Sequence, residues 1–128
     1  MRSVNAVSEQ KRILLADDEE NLAGPLREEF LAAGYIVDVA CDGVEAVMKA
    51  ADNVYAIALL DMAMPKLDGL HTIRILRKMN KKMPIIAMSG SMHHERLSET
   101  ISAGALMFVH KPFNTQWLLT QVKWVVGG

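Results

Sequence analysis

Five short apolar stretches, each too brief for a helix of ordinary length, punctuate the chain: Ile13 to Ala16, Tyr35 to Ala40, Ala56 to Leu60, Pro84 to Met88 and Ala105 to Val109. Most run without interruption. They lack the alternation of a strand with one wet face and therefore predict strands covered on both sides of a sheet. Between them, apolar residues recur at helical spacing: Leu22, Leu26, Phe30 and Ala33; Val44, Val47, Met48 and Ala51; Leu70, Ile73, Leu76 and Met79; Leu97 and Ile101; Leu118, Leu119, Val122 and Val125. Strand and helix thus alternate five times without a linker or an internal repeat. This α/β pattern predicts a (βα)5, doubly wound, five-stranded parallel sheet in the order 2-1-3-4-5, with right-handed crossovers.

Local signals refine this expectation. Gly24-Pro25 falls inside the first helical stripe and predicts a kink or a late start. Asp38 among apolar neighbours suits an outer strand. Arg74, Arg77, Lys78, Lys81 and Lys82 read as a solvated helix end, favourable near the negative end of the helix dipole. At 128 residues the chain has the size of one domain, read as a leader over 1–10, a folded unit over 11–126 and a tail over 127–128. A formal net charge of −1 gives no electrostatic reason to expect nucleic acid or an anionic membrane as partner. Cys41 is the sole cysteine, which excludes an internal disulfide and a cysteine zinc site, and it is expected as a buried or half-buried thiol at a strand end. With no signal-peptide core and no apolar segment approaching the ~20 residues of a membrane span, the expected compartment is the cytoplasm.

The chemistry gathers where the strands end. Asp17-Asp18 follows the first apolar run, Asp61 ends the third, Ser89 the fourth, and Lys111 stands just past the fifth. Ligands of open α/β sheets bind outside these carboxyl ends, at the point where the strand order reverses, here between the first and third strands. Each residue alone has a bland reading: helix-capping acids, a turn serine, a surface lysine. In the expected topology they converge. Three carboxylates so placed need protons or a cation to coexist, and an oxygen-only set beside a phosphate site favours Mg²⁺ over a softer metal. A carboxylate nucleophile with a metal and cationic or hydroxyl donors is the equipment for phosphoryl transfer, with Asp61 as acceptor, Asp17 and Asp18 on the metal, and Ser89 and Lys111 on phosphoryl oxygens.

The ordered set Asp17-Asp18, Asp61-x-x-Met64-Pro65-x-x-Asp68-Gly69, Ser89-Gly90 and Lys111-Pro112-Phe113 resembles the receiver domain of two-component response regulators over about residues 11 to 126. The resemblance implies a flavodoxin-like fold and a phosphoprotein in which Asp61 accepts a phosphoryl group from a phosphohistidine on a sensor histidine kinase or histidine phosphotransfer protein. It implies Mg²⁺ (or Mn²⁺) bound by Asp18, Asp61 and the backbone carbonyl of Ala63, with Asp17 acting largely through a water, and a cis Lys111–Pro112 bond. It further implies a switch in which Ser89 moves toward the phosphoryl group and Phe108 turns inward, and pairing or output-domain contact through the face of the fourth helix, fifth strand and fifth helix. Such a domain assists only its own phosphorylation and dephosphorylation and acts on no outside substrate. Phe108 lacks the hydroxyl that could hold an outward state. Ala63 and Ser91 are small and flank the approach of hydrolytic water, and Gly90 leaves room beside the site, so water is expected to enter.

His93-His94 is expected as exposed imidazoles, since adjacent helical residues do not face each other. His110 is expected to point away from Lys111. Trp117 and Trp124, two helical turns apart, are expected to be partly exposed, with a partner site weighed no higher than core packing. Three other readings stand further off. A phosphatase with an aspartyl intermediate usually wants a second acid where Ala63 stands; a dinucleotide-binding domain wants glycines where Asp17 to Glu20 stand. A scaffold that is never phosphorylated has no use for the acid, hydroxyl and lysine set.

Overall fold

A computed structural model describes residues 10–79, 81–90 and 94–127; the expectations for the leader, for Ser91 and for the His93-His94 imidazoles lie outside the described residues. The elements are β1 (Arg12–Ala16), α1 (Glu20–Ala32), β2 (Ile36–Ala40), α2 (Gly43–Asp52), β3 (Ile57–Asp61), α3 (Gly69–Lys78), β4 (Ile85–Ser89), α4 (His94–Ala103), β5 (Met107–His110) and α5 (Thr115–Val126). All strand pairs are parallel and the order is β2-β1-β3-β4-β5, as the alternation predicts. β3 and β4 are buried along their whole length, because helices cover both faces of the sheet.

Successive side chains on a strand point to opposite faces, so the sheet separates two cores. Ile13, Leu15, Ile57, Leu59, Ile86 and Met88 face α1 and α5, where Leu26, Phe30, Leu118 and Val122 complete one cluster. Leu14, Ala16, Ala58, Leu60, Ile85 and Ala87 face the other way, against Ala46, Ala50, Ile73 and Leu76 of α2 and α3. Each fully buried leucine or isoleucine contributes about 1.5–3 kcal/mol relative to exposure.

α1 begins at Glu20, so Gly24-Pro25 causes no late start. Proline pushes the preceding residue out of the helical region chiefly by crowding its Cβ; glycine has none, which lets the pair sit on the exposed side of the second turn. Asp38 lies on the edge strand, as expected, and is satisfied there: Arg12 Nη1 and the Tyr55 hydroxyl both donate to its Oδ2, at 2.9 and 2.7 Å.

Three expectations about faces need correction. α2 buries Gly43, Ala46 and Ala50 and leaves Val44 43% and Met48 64% exposed, because small residues let the helix approach the sheet closely. In α4, Thr100 is buried and Ile101 is 43% exposed; the Thr100 hydroxyl can be buried because it donates to the Arg96 carbonyl at 2.6 Å. Cys41 is exposed just past β2, its backbone N–H donating to Glu45 Oε1 at 2.6 Å.

The basic end of α3 is not wholly solvated either. The half-buried Arg77 guanidinium donates through Nη1 to the carbonyls of Lys81 (2.5 Å) and Met83 (2.9 Å), and through Nη2 to that of Gly104 (2.7 Å). Gly104 has φ +128°, and a Cβ there would collide with the Arg77 side chain. One side chain thus joins the turn before β4 to the turn before β5.

Candidate functional site

The strand register sets the site. Ala16 stands beside Leu60, Asp61 beside Met88, and Ser89 beside His110, so the last residues of β3 and β4 and the first beyond β1 and β5 share one rim. Backbone bonds extend the sheet into the loops: Asp17 N–H to the Ala40 carbonyl (3.0 Å), Met62 N–H to Met88 (2.8 Å) and Lys111 N–H to Ser89 (2.8 Å). These hold Asp17, Asp61, Ser89 and Lys111 close despite their separation in sequence. The loop between β3 and α3 is pinned at its far end by Asp68, whose carboxylate accepts from the His71 N–H and caps α3. The Lys111–Pro112 bond is cis, as the resemblance implied.

Asp17, Asp61 and Ser89 are buried, and the Lys111 side chain is 13% exposed. The Lys111 Nζ lies 3.0 Å from Asp17 Oδ2, 2.9 Å from Glu19 Oε1 and 3.3 Å from Asp61 Oδ2. Of these contacts, the one to Glu19 is a well-formed hydrogen bond. Asp17 Oδ2 is buried and has the ammonium beside it as an ion pair, without a hydrogen-bond donor in good geometry. Asp17 Oδ1 accepts from the Glu19 N–H, and Asp61 Oδ1 from the Ala63 N–H, which fixes both carboxylates.

Burial pushes the Asp17 carboxyl above its ordinary value, and neighbouring Asp61 adds to this, while the Glu19 N–H and Lys111 oppose it. For Lys111, desolvation works against the charged form, but the carboxylates of Glu19, Asp17 and Asp61 outweigh it and hold the ammonium above its usual range.

Asp17, Glu19 and Asp61 bring carboxylate oxygens within 4.8 Å of one another. Asp18, which sequence reasoning placed on the metal, is exposed and lines the cleft beside that cluster; Glu19, which it passed over, belongs to the cluster. The sequence carries no signal that separates the two acids: Asp18 lies in a bend across which the Glu19 N–H donates to Asp17 Oδ1, and this turn brings Glu19 to the cluster.

The cleft, about 650 Å³, is lined by Asp18, Glu19, Leu22, Asp61, Ala63, Ser89, Gly90, Lys111 and Pro112. Its donors are hard oxygens with neither imidazole nor thiol among them, and the buried Asp17 Oδ2 has unused acceptor capacity. The donor set fits a hard divalent cation. Phe108 is half-buried on β5, and the exposed His110 packs on it at 6.3 Å between ring centroids. Trp117 and Trp124 are 46% and 85% exposed.

A five-stranded parallel sheet in this order, with acids, a hydroxyl and a lysine on its carboxyl rim, is the architecture of a signalling phosphoacceptor. The chain belongs to the response regulator receiver domain family, whose pattern matches residues 13–123. The regulatory protein YkoG of Bacillus subtilis is 33% identical over 115 residues, which is 90% of this chain and 50% of that protein. The chain therefore spans about half the length of the curated relatives it matches. The Francisella response regulator 1452 receiver domain superposes with a TM-score of 0.86 at 31% identity, covering 92% of this chain and 98% of that one. The Borrelia burgdorferi CheX–CheY–BeF3–Mg complex gives 0.83 at 29% identity, over 90% and 88%. Among the described residues, no helix is long and apolar enough to cross a membrane.

Proposed function

We propose that Asp61 is the phosphoacceptor of a two-component or phosphorelay receiver unit spanning residues 11–126. The observation that carries this reading is the Lys111 ammonium 3.3 Å from Asp61 Oδ2 at the open rim of the sheet. A carboxylate oxygen of Asp61 attacks the phosphorus of a phosphohistidine on a sensor kinase or histidine phosphotransfer protein. The P–O bond forms as the P–N bond breaks, and the imidazole leaves. Asp17, Asp18, Asp61 and the Ala63 carbonyl would hold Mg²⁺ or Mn²⁺, which supplies charge neutralisation of the phosphoryl oxygens. The chemistry of the donor set supports this, as do the Mg²⁺ and BeF3 of the similar Borrelia complex. Lys111 and the Ser89 hydroxyl serve the remaining phosphoryl oxygens. Hydrolysis by water returns the carboxylate and releases phosphate, and the domain acts on no outside substrate.

The switch elements are Ser89, drawn toward the phosphoryl group, and Phe108, turning inward on β5. The altered surface is that of α4, β5 and α5, where Ile101, Trp117 and Trp124, with Leu106 in the turn before β5, are exposed and suit a second copy or an output domain. A cytoplasmic setting follows from the proposed kinase partner.

The test is incubation of the native chain and of Asp61→Asn with acetyl phosphate and Mg²⁺, followed by intact-mass measurement. The native chain gains the mass of one phosphoryl group and the variant gains none. Equal gain in both, or none in the native chain, refutes the assignment.

A further inference from the structure

Lys111 gives its well-formed hydrogen bond to the most exposed acid within reach. Glu19 Oε1 accepts from Nζ at 2.9 Å with 61% of the Glu19 side chain exposed, while the buried Asp17 Oδ2 at 3.0 Å has no well-aligned donor. The contact joins residues 92 apart in sequence and ties the β1–α1 loop to the β5–α5 loop across the cleft. Glu19 can reach because its backbone is fixed: its N–H donates to Asp17 Oδ1, and its carbonyl accepts from Leu22 and Ala23 at the start of α1. We propose that Glu19 is a positioning residue, a latch that holds Lys111 in the unphosphorylated protein and competes with the incoming phosphoryl group for its ammonium.

This rests on the reading of Asp61 as acceptor. Lys111 must turn from Glu19 to a phosphoryl oxygen when Asp61 is modified, so whatever stabilises the Glu19 contact opposes that step. The contact is exposed and therefore modest, which makes it a rate-setting device rather than a block. Its value depends on the reach of the side chain. Aspartate at this position keeps the charge but is one methylene shorter, and so separates a latch from simple repulsion of an anionic donor.

Native protein, Glu19→Asp and Glu19→Ala are phosphorylated with acetyl phosphate at saturating Mg²⁺, with the rate read by intact mass and Mg²⁺ affinity by calorimetry. In parallel, Lys111 is labelled with a trace of acetic anhydride and its modification is compared with that of the exposed Lys82. The latch requires both variants to be phosphorylated about 2- to 5-fold faster, the range an exposed ion pair supports, with Lys111 labelling rising by a similar factor. Acceleration in Glu19→Ala alone means repulsion only and overturns the latch. Slower phosphorylation with weakened Mg²⁺ binding makes Glu19 a metal ligand and overturns it too. If the native chain takes no phosphoryl group, the Asp61 assignment fails; unchanged labelling in Glu19→Asp then overturns the latch, and increased labelling sustains the Lys111 contact.

Discussion

Asp38 is an acid in the middle of an edge strand, and it is stable there because a guanidinium and a phenol both donate to it. Desolvation alone would raise its pKa; the Tyr55 hydroxyl and Arg12 outweigh burial and hold it below the usual carboxylate range. A depressed native pKa means stability that is fully present above the unfolded value of about 4 and is lost as pH falls through the native one. Asp38→Asn should therefore cost about 1–2 kcal/mol at pH 7 in urea unfolding, and the difference from the native chain should shrink below about pH 4. A difference that does not change with pH would remove the charge from this account. At the same scale, Asp17, Asp61, Ser89 and Lys111 were legible in sequence because each lies within two residues of the end of an apolar run. Which of Asp18 and Glu19 joins them was not, since it depends on the dihedral angles of a bend and on the reach of a side chain.

Helix α2 shows where periodicity misleads. Its larger apolar residues, Val44 and Met48, suggested the inner face, but close approach selects small residues, and Gly43, Ala46 and Ala50 are buried instead. Gly43 is the tightest case: a Cβ there would press on the Leu67 carbonyl and on Thr72 Oγ1 of the neighbouring loop and helix. Gly43→Ala should lower stability by about 1–3 kcal/mol through overpacking, measured as a shift of the urea midpoint at constant slope. Because Leu67 lies in the loop that follows Asp61, the same substitution should also alter phosphorylation by acetyl phosphate. A Gly43→Ala variant as stable as the native chain would show that the loop yields freely. α4 is read poorly for a related reason: a threonine that satisfies its own hydroxyl within the helix counts as polar by composition and as core by packing.

For the whole molecule, strand order was predictable because alternation and handedness leave few topologies, and the carboxyl rim follows from the order. Among the described residues the rim is also open. Ala63 is exposed, Gly90 is exposed and carries no side chain to cover the cleft, and Ser89 lies beside them, so water has access to the proposed aspartyl phosphate. Phospho-Asp61 should accordingly decay well within hours in Mg²⁺ and persist longer once EDTA removes the cation, as followed by the loss of phosphoryl mass. Survival for many hours in Mg²⁺ would mean that the rim excludes water in a way these small residues do not explain.

Arg77 bears on how such a molecule could transmit a signal. Its guanidinium fastens the carboxyl end of α4, at Gly104, to the turn that feeds β4. Ser89 lies at the other end of β4, on the side from which α4 begins. Were Ser89 to be drawn toward a phosphoryl group as proposed, any displacement passed on to α4 would meet it at the end remote from its rivet, and the helix would answer by swinging about a fixed foot, its amino end travelling farthest.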